Sequence, residues 1–217
     1  MLCRHGLNTR AKRLGLIAGY AAPYEPPRTP EPERHIDASR PGELVGIDCF
    51  YVGRLKGTEG AIWQLTAIDI ASSYAWADLV ICKTANPTAR QTSVLAKRVA
   101  RELKTAGWQL QRILSDNGNE FKGDFTKTID ALKLRHTRIH AGKPQTNGHV
   151  EALHKTILDE CWRPAFARYL YPHYTGLRRE LDTDLRFYNT DRAHHGRLTQ
   201  GRIPADIVYG ARKMEAR

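Results

Sequence analysis

Two short polar segments constrain this chain more than any other part of it. The first, 115–121, has the sequence Ser-Asp-Asn-Gly-Asn-Glu-Phe and follows an apolar run, 108–114, that predicts a strand. The second, 142–151, has the sequence Gly-Lys-Pro-Gln-Thr-Asn-Gly-His-Val-Glu and opens a helical pattern of Val150, Leu153, Ile157 and Cys161. The pattern predicts that Asp116 lies at a strand end and that Glu151, 35 positions later, lies in the first turn of a helix.

A third acid, Asp48, lies inside a predicted strand, 43–53, among Leu44, Val45, Ile47, Cys49 and Phe50. A buried charge is costly unless it is paired, and coordination of a cation is one such pairing. Mg²⁺ binds oxygen ligands and takes only a few carboxylates, which leaves positions for water and phosphate. Each acid alone is also explained as a turn cap, a stray buried Asp or a solvated helix Glu. The ordered set of three favours a site for divalent cations.

With these motifs the chain resembles the catalytic core of retroviral integrases and of bacterial insertion-sequence transposases, the Asp–Asp–Glu enzymes of ribonuclease H-like fold. The resemblance covers about residues 42 to 210 and rests on Ser-Asp-Asn-Gly-x-Glu-Phe and Pro-x-x-Asn-Gly-x-x-Glu at this separation. It implies that Asp48, Asp116 and Glu151 are the catalytic residues and the ligands of Mg²⁺ or Mn²⁺. Two such ions about 3.5–4 Å apart can hold the attacking and leaving oxygens of a phosphodiester.

The resemblance implies a transposase or integrase, a polynucleotidyl transferase that cleaves a DNA strand and joins the freed 3′-hydroxyl to a target during DNA integration and recombination. It also implies that the chain acts as a homo-oligomer on DNA. Two alternatives stay open at this point. One is a ribonuclease H-like nuclease of the same fold. The other is a truncated, non-catalytic DNA-binding remnant of a transposase, because the chain is expected to begin inside a longer protein.

The charge of the chain points to the same kind of partner. A net charge of +11 and a pI near 9.7 favour a polyanion, nucleic acid first. The run 131–150 contains no acid and leads directly to Glu151. The DNA-contact candidates in and beside this run are Arg138, Lys143, Asn147, His149 and Lys155, with His154 as a weaker one. Lys155 lies one turn after Glu151 on the same helix face, so the alternative to a DNA contact is a surface Glu–Lys pair. For Asn147 the alternative to a DNA contact is capping of the helix.

Other sequence features indicate the cellular compartment of the protein. The four cysteines are scattered and form no Cys-x-x-Cys pair, which argues against zinc and fits a reducing environment. We find no signal peptide and no apolar run of membrane length. We therefore expect a cytoplasmic, bacterial protein that associates with the nucleoid when bound to DNA, and no membrane partner.

The chain divides into four predicted segments. Residues 1–20 are expected to be a basic helix, the tail of an upstream DNA-binding domain, or else a disordered terminus. Residues 21–42 hold six of the eleven prolines and predict an extended linker. Residues 43–165 form the predicted catalytic core, and residues 166–217 a helical extension.

The core pattern predicts a mixed α/β fold, a five-stranded sheet flanked by helices. Strands are expected at 43–53, 61–70, 74–81, 108–114 and, at the sheet edge, 135–139; helices at 86–107 and 125–134. Asp69 is expected to bond to the turn after its strand, and Glu120 to shape the site. The segment 188–194, Tyr-Asn-x-x-Arg-x-His, resembles the tail of insertion-sequence transposases and favours that bacterial group; His194 and His195 are expected to pack or cap.

Overall fold

The computed structural model describes residues 38–83, 85–139, 148–169, 172–196 and 198–210. The predicted basic helix 1–20 and most of the predicted linker 21–42 lie outside these residues. Residues 38–42 are described, and they already contact the core. Ala38, Pro41 and Gly42 are buried, and the backbone N–H of Gly42 donates to the Asp69 carboxylate at 2.8 Å.

The centre of the fold is a five-stranded mixed sheet with the strand order β3-β2-β1-β4-β5. Strands β1 (Val45–Gly53), β2 (Ala61–Asp69) and β3 (Ala75–Cys82) form an antiparallel meander. Strand β4 (Arg112–Ser115) then pairs parallel with β1, and β5 (Arg135–Arg138) pairs parallel with β4 at the sheet edge. The predicted sheet, including the edge position of β5, is confirmed.

Strand β4 is shorter than the predicted strand 108–114, because the first residues of that run bond elsewhere. The indole N–H of Trp108 donates to the carbonyl oxygen of Val208 at 2.8 Å. The backbone N–H of Gln111 donates to Gly42 at 2.8 Å, and its carbonyl accepts from Arg135 at 2.9 Å. These residues therefore fasten the strand to its neighbours before the ladder with β1 begins.

Helices cover both faces of the sheet. Helices α1 (Ala89–Thr105) and α2 (Asp124–Ala131) share one apolar cluster with Val45, Ile47 and Leu65. Helices α3 (Gly148–Ile157), α4 (Arg163–Arg168) and α5 (Tyr174–Thr190) share the opposite cluster with Leu44, Ile62 and Ile68. The last helix, α6 (Pro204–Tyr209), returns to the first face through Val208. None of the described helices is both long enough and apolar enough to span a membrane.

The ends of α1 follow the sequence signals with one shift. Thr88 caps the helix in a capping box with Gln91, so the helix begins at Ala89 and not at the predicted residue 86. At the other end Gly107 has a φ of 91°, and its N–H donates to Lys104 while that of Trp108 donates to Leu103. This pair of bonds satisfies the last carbonyls of the helix, as predicted for Gly107.

Asp69 has the structural role that was predicted for it. Its carboxylate is fully buried and accepts from the backbone N–H and the hydroxyl of Ser72, at 2.9 and 2.5 Å. With the bond from Gly42, it joins the turn after β2 to the segment that precedes β1. Such a carboxylate has no free oxygen directed at solvent and lies outside the candidate site.

The segment Tyr-Asn-x-x-Arg-x-His fastens the C-terminal extension to the sheet. The side-chain amide of Asn189 accepts from the backbone N–H of Ala75 at 2.9 Å and donates to its carbonyl at 2.8 Å. It thereby takes the place of a neighbouring strand at the edge of β3. His194 packs edge-on against Tyr188, with ring centroids 4.3 Å apart, which confirms the packing role expected of it.

Asn189→Ala should destabilise the protein, because it leaves the N–H and C=O of Ala75 buried without partners. Each such group costs about 1–3 kcal/mol, so we expect a loss of roughly 2–4 kcal/mol in the free energy of unfolding, measured by urea denaturation. Thr183→Ala, at an exposed position of the same helix, is the control and should change stability by less than about 0.5 kcal/mol. Equal stability of the two variants would contradict the role given to Asn189.

Candidate active site

Asp48 lies on β1, and Asp116 directly follows β4, the parallel strand beside it. The register pairs Gly46 with Leu114, and each Asp follows this pair by two residues along its own chain. Alternate residues of a strand share a face, so Asp48 lies on the same face of β1 as Gly46, the face that α3 covers. The parallel pairing of β1 and β4 thus brings the first two predicted site residues together.

Glu151 reaches the same region because α3 packs directly against β1. Val150 is fully buried, and a Cβ added at Gly46 would lie 2.6 Å from its Cγ2 atom. Only a glycine at this position lets the helix lie so close to the strand. Glu151, the next residue, is exposed at the start of the helix, beside the strand that carries Asp48.

The electrostatics of Asp48 show that the acids share one environment. The pKa of this carboxyl is raised to about 6, chiefly by burial. The hydrogen bond from the Cys49 N–H opposes the rise, and the nearby carboxylates of Asp116, Glu120 and Glu151 contribute to it. Among the described residues, no Lys or Arg forms an ion pair with any of these four acids. The site is therefore a concentration of negative charge that lacks a partner cation in the part of the chain described here.

Two of these carboxylates accept hydrogen bonds from nearby backbone N–H groups, and a third lies over a neighbouring glycine. Asp48 Oδ1 accepts from the N–H of Cys49 at 2.8 Å, and Asp116 Oδ1 accepts from the N–H of Gly118 at 2.9 Å. The Glu120 carboxyl group lies over Gly118, where an added Cβ would come within 2.5 Å of it. Within the described ranges, no three His, Cys, Asp or Glu side chains lie close enough to hold a metal ion together.

Carboxylates at short range repel one another unless a cation lies between them. The donors fit a hard cation, because carboxylate oxygens are the ligands that Mg²⁺ takes in proteins. Asp116 and Glu151 are exposed, so both can turn without disturbing the core. Joint coordination would require the carboxylates to rotate away from the backbone amides that now hold them.

His154 is a site residue whose position sequence reasoning missed. It was grouped with the weaker DNA-contact candidates, but its side chain is buried, with 8% exposure, one turn after Glu151 on α3. Its Nδ1 lies 3.8 Å from Asp48 Oδ2, and its ring packs on Phe50 with centroids 5.3 Å apart. Burial lowers the pKa of His154 to about 4, so the imidazole is neutral at physiological pH. Only its spacing of three residues from Glu151 could have indicated it.

A second histidine supports the segment that carries Asp116. His136 Nε2 lies 2.8 Å from the buried hydroxyl of Ser115, and that hydroxyl donates to the carbonyl oxygen of Asp116 at 2.9 Å. Because the hydroxyl has one hydrogen, the imidazole must donate to it. Asn117 adds a bond to the carbonyl of Ile139 at 3.1 Å, which joins the chain segments that leave β4 and β5.

The DNA-contact candidates divide into described and undescribed residues. Lys155 and His149 are exposed on α3, on either side of Glu151 along the chain. Arg138 is exposed at the end of β5 and donates to the hydroxyl of Thr126 at 3.2 Å. Lys143 and Asn147 lie outside the described residues. For the three described candidates, contact with DNA stays a prediction.

Known proteins share both sequence and fold with this chain. A family model described as integrase core domain matches residues 132–199, a range that contains Glu151 but neither Asp48 nor Asp116. The retrovirus-related Pol polyprotein from transposon TNT 1-94 of Nicotiana tabacum is 32% identical over 119 residues. That match covers 54% of this chain but only 9% of the relative, so the chain spans less than a tenth of that polyprotein.

Solved structures of viral integrases have the same fold. The HTLV-2 integrase catalytic core domain, solved with magnesium as a dimer, aligns with a TM-score of 0.57 over 77% of this chain and 97% of its own. The BIV integrase catalytic core aligns with a TM-score of 0.55 over 81% and 99%. A simian T-cell lymphotropic virus intasome bound to a PP2A regulatory subunit aligns with a TM-score of 0.65 over 96% of this chain and 69% of its own. Identities are 15–18%. The predicted resemblance and the ribonuclease H-like fold are confirmed.

Gly46→Ala should separate α3 from β1, since the new methyl group overlaps a stiff, buried valine. Overpacking of this kind costs about 1–3 kcal/mol, measured as the free energy of unfolding in urea. Val150→Ala in the same chain removes the overlapping atom, so the double variant should be more stable than the sum of the single losses predicts.

Gly176→Ala is the matched control. It lies in α5, and a Cβ added there meets nothing within 4 Å. Alanine is the better helix former by about 1 kcal/mol, so this variant should be as stable as the parent or more so. Strictly additive losses in Gly46→Ala and Val150→Ala would show that the glycine does not set the position of α3.

Proposed function

We propose that this chain is the catalytic core of a DNA transposase or integrase, which cleaves and joins DNA strands with the help of divalent metal ions. One observation carries the proposal. The pairing of Gly46 with Leu114 puts Asp48 on β1 and Asp116 after β4 at the same distance from that pair, and α3, which packs on β1 through Gly46, carries Glu151 in its first turn. The integrase core match and the integrase fold support it.

Asp48, Asp116 and Glu151 are the residues that would hold Mg²⁺ or Mn²⁺, and the HTLV-2 integrase core, a structural neighbour, was solved with magnesium. When bound, such ions, two in our proposal, polarise the phosphodiester and stabilise the charge that builds up on its oxygens. The chain's own residues have distinct tasks. Asp48 is anchored in the sheet with 23% of its side chain exposed, while Asp116 and Glu151 face solvent, the side from which a phosphate can approach.

The protein needs no nucleophilic side chain for this chemistry, since water or a DNA 3′-hydroxyl attacks the phosphorus. Its contribution is to position the strands and to neutralise charge, which dominate phosphoryl transfer. The neutral imidazole of His154 lies beside Asp48 and packs on the ring of Phe50. We propose that exposed cations on α3 and β5 hold the DNA backbone on the outer side.

The partners follow from the same proposal. The matched relative is a transposon polyprotein, and one structural neighbour is an intasome. We propose that this chain likewise acts on element ends and target DNA as a homo-oligomer. The tail segment 188–194 favours a bacterial insertion-sequence origin, which stays a prediction.

Glu151→Gln keeps the size of the side chain and removes its charge. Cleavage of a labelled DNA end and its joining to a target should both fall by at least about 10²-fold with Mg²⁺ present, while the unfolding curve stays unchanged because the residue is exposed. Asp130→Asn, an exposed acid on α2, is the control and should keep both activities. Activity of the Gln variant near that of the parent would remove Glu151 from the site. Cleavage without joining by the parent would instead indicate a nuclease.

Lys155 and Arg138 should contribute to DNA binding through phosphates. Replacing each by alanine should lower the slope of log affinity against log salt by about 0.9, since one phosphate contact is lost. The weakening should be the same for element ends and for random duplexes, because phosphate contacts carry no direct sequence information. Lys97→Ala, on the exposed side of α1 across the sheet, should leave the slope unchanged. Equal slopes in all variants would mean that Lys155 and Arg138 face only solvent.

A further inference from the structure

His154 combines features that ordinary packing does not require. Its side chain is more than nine-tenths buried, yet it carries a ring nitrogen, Nε2, that has no hydrogen-bond partner among the described residues. A buried polar atom without a partner is destabilising, and an apolar ring of similar size would avoid that cost. The neighbouring ring is Phe50, which an aromatic hydrocarbon would contact equally well.

The other ring nitrogen is directed at the candidate site. Nδ1 lies 3.8 Å from Asp48 Oδ2, too far for a hydrogen bond but close enough that a shift of about 1 Å would complete one. Asp48 Oδ1 already accepts from the N–H of Cys49. No described residue donates a hydrogen bond to Oδ2, and His154 Nδ1 lies beside it.

We infer that His154 is a positioning residue, which fixes the orientation of the Asp48 carboxylate by donating a hydrogen bond from Nδ1 to one of its oxygens. The bond leaves the other oxygen available for a cation. In this role the hydrogen sits on Nδ1, and the unpartnered Nε2 is a bare acceptor. Residues that orient a metal ligand in this way typically change metal affinity by 10–100-fold when they are replaced.

The inference rests on the proposed function, because it concerns the binding of a divalent cation by Asp48. Two substitutions separate orientation from packing. His154→Phe keeps a buried aromatic ring against Phe50 and removes both ring nitrogens. His154→Asn keeps an N–H donor at the position of Nδ1 and removes the ring. A packing role and a donor role therefore predict opposite rankings of the two variants.

The experiment measures Mn²⁺ binding to the full chain by electron paramagnetic resonance and the melting temperature without metal. His154→Phe should melt at the same temperature or higher, while its Mn²⁺ affinity falls by about 10–100-fold. His154→Asn should melt at a lower temperature and bind Mn²⁺ nearly as tightly as the parent. His173→Phe, an exposed histidine before α5, is the control and should change neither quantity.

The outcomes distinguish the two proposals. If the parent binds no Mn²⁺, or if Asp48→Asn binds it equally well, the proposed function itself fails. If the parent binds Mn²⁺ through Asp48 and His154→Phe binds it as tightly, His154 does not orient the carboxylate and the inference is overturned. Loss of Mn²⁺ binding in His154→Asn as large as in His154→Phe would likewise overturn it, since a donor alone would then not suffice.

Discussion

Parallel pairing of β1 with β4 is the contact from which the candidate site follows. It sets Asp48 and Asp116 level with each other, and it does so two residues beyond the last pair of the ladder. The packing of Val150 on Gly46 then fixes how near α3 comes to the same strand. Three acids that are far apart in sequence are thereby delivered to one end of the sheet by backbone geometry alone. The acids need no contact with one another to be brought there.

Bringing the three acids to one end of the sheet costs free energy through charge repulsion, and packing elsewhere in the fold offsets that cost. Asp48 is half-buried, which raises the pKa of its carboxyl, and the surrounding carboxylates add to that rise. Two apolar clusters, one on each face of the sheet, hold the strands in place against this repulsion. Asp69, Asn189 and Trp108 add buried hydrogen bonds at the edges of the sheet and its turns. Functional sites often contain such clusters of like charge, because the ligand that they bind compensates for the repulsion.

Much of this could be predicted from the sequence because the signals are local. Alternating and β-branched runs predict the three-stranded meander, and the predicted helix 86–107 contains α1. The two polar motifs identify Asp116 and Glu151 before any contact is known. Asp69 was separated from the site residues correctly, since a short polar side chain at a strand end can bond to the turn that follows it.

The remainder depends on contacts that no local pattern encodes. The position of His154 beside Asp48 requires the packing of α3 on β1, which a helix pattern alone does not fix. Likewise, α3 runs into a π-helical turn, Leu158–Trp162, which places the indole N–H of Trp162 2.8 Å from the buried side-chain oxygen of Gln64. Asn189 belongs to a motif that was noticed in the sequence, but its bonds to Ala75, 114 residues away, become visible only in the fold.

The central claim is that Asp48, Asp116 and Glu151 bind divalent cations together, although Asp48 and Asp116 accept from neighbouring backbone N–H groups here. Anomalous diffraction from crystals of the full chain soaked with Mn²⁺ tests it most directly. We predict an anomalous peak within coordination distance of one carboxylate oxygen from each of the three residues, with the Asp48 and Asp116 side chains rotated away from Cys49 and Gly118. A peak bound elsewhere, or no peak beside these residues at saturating Mn²⁺, would contradict the account.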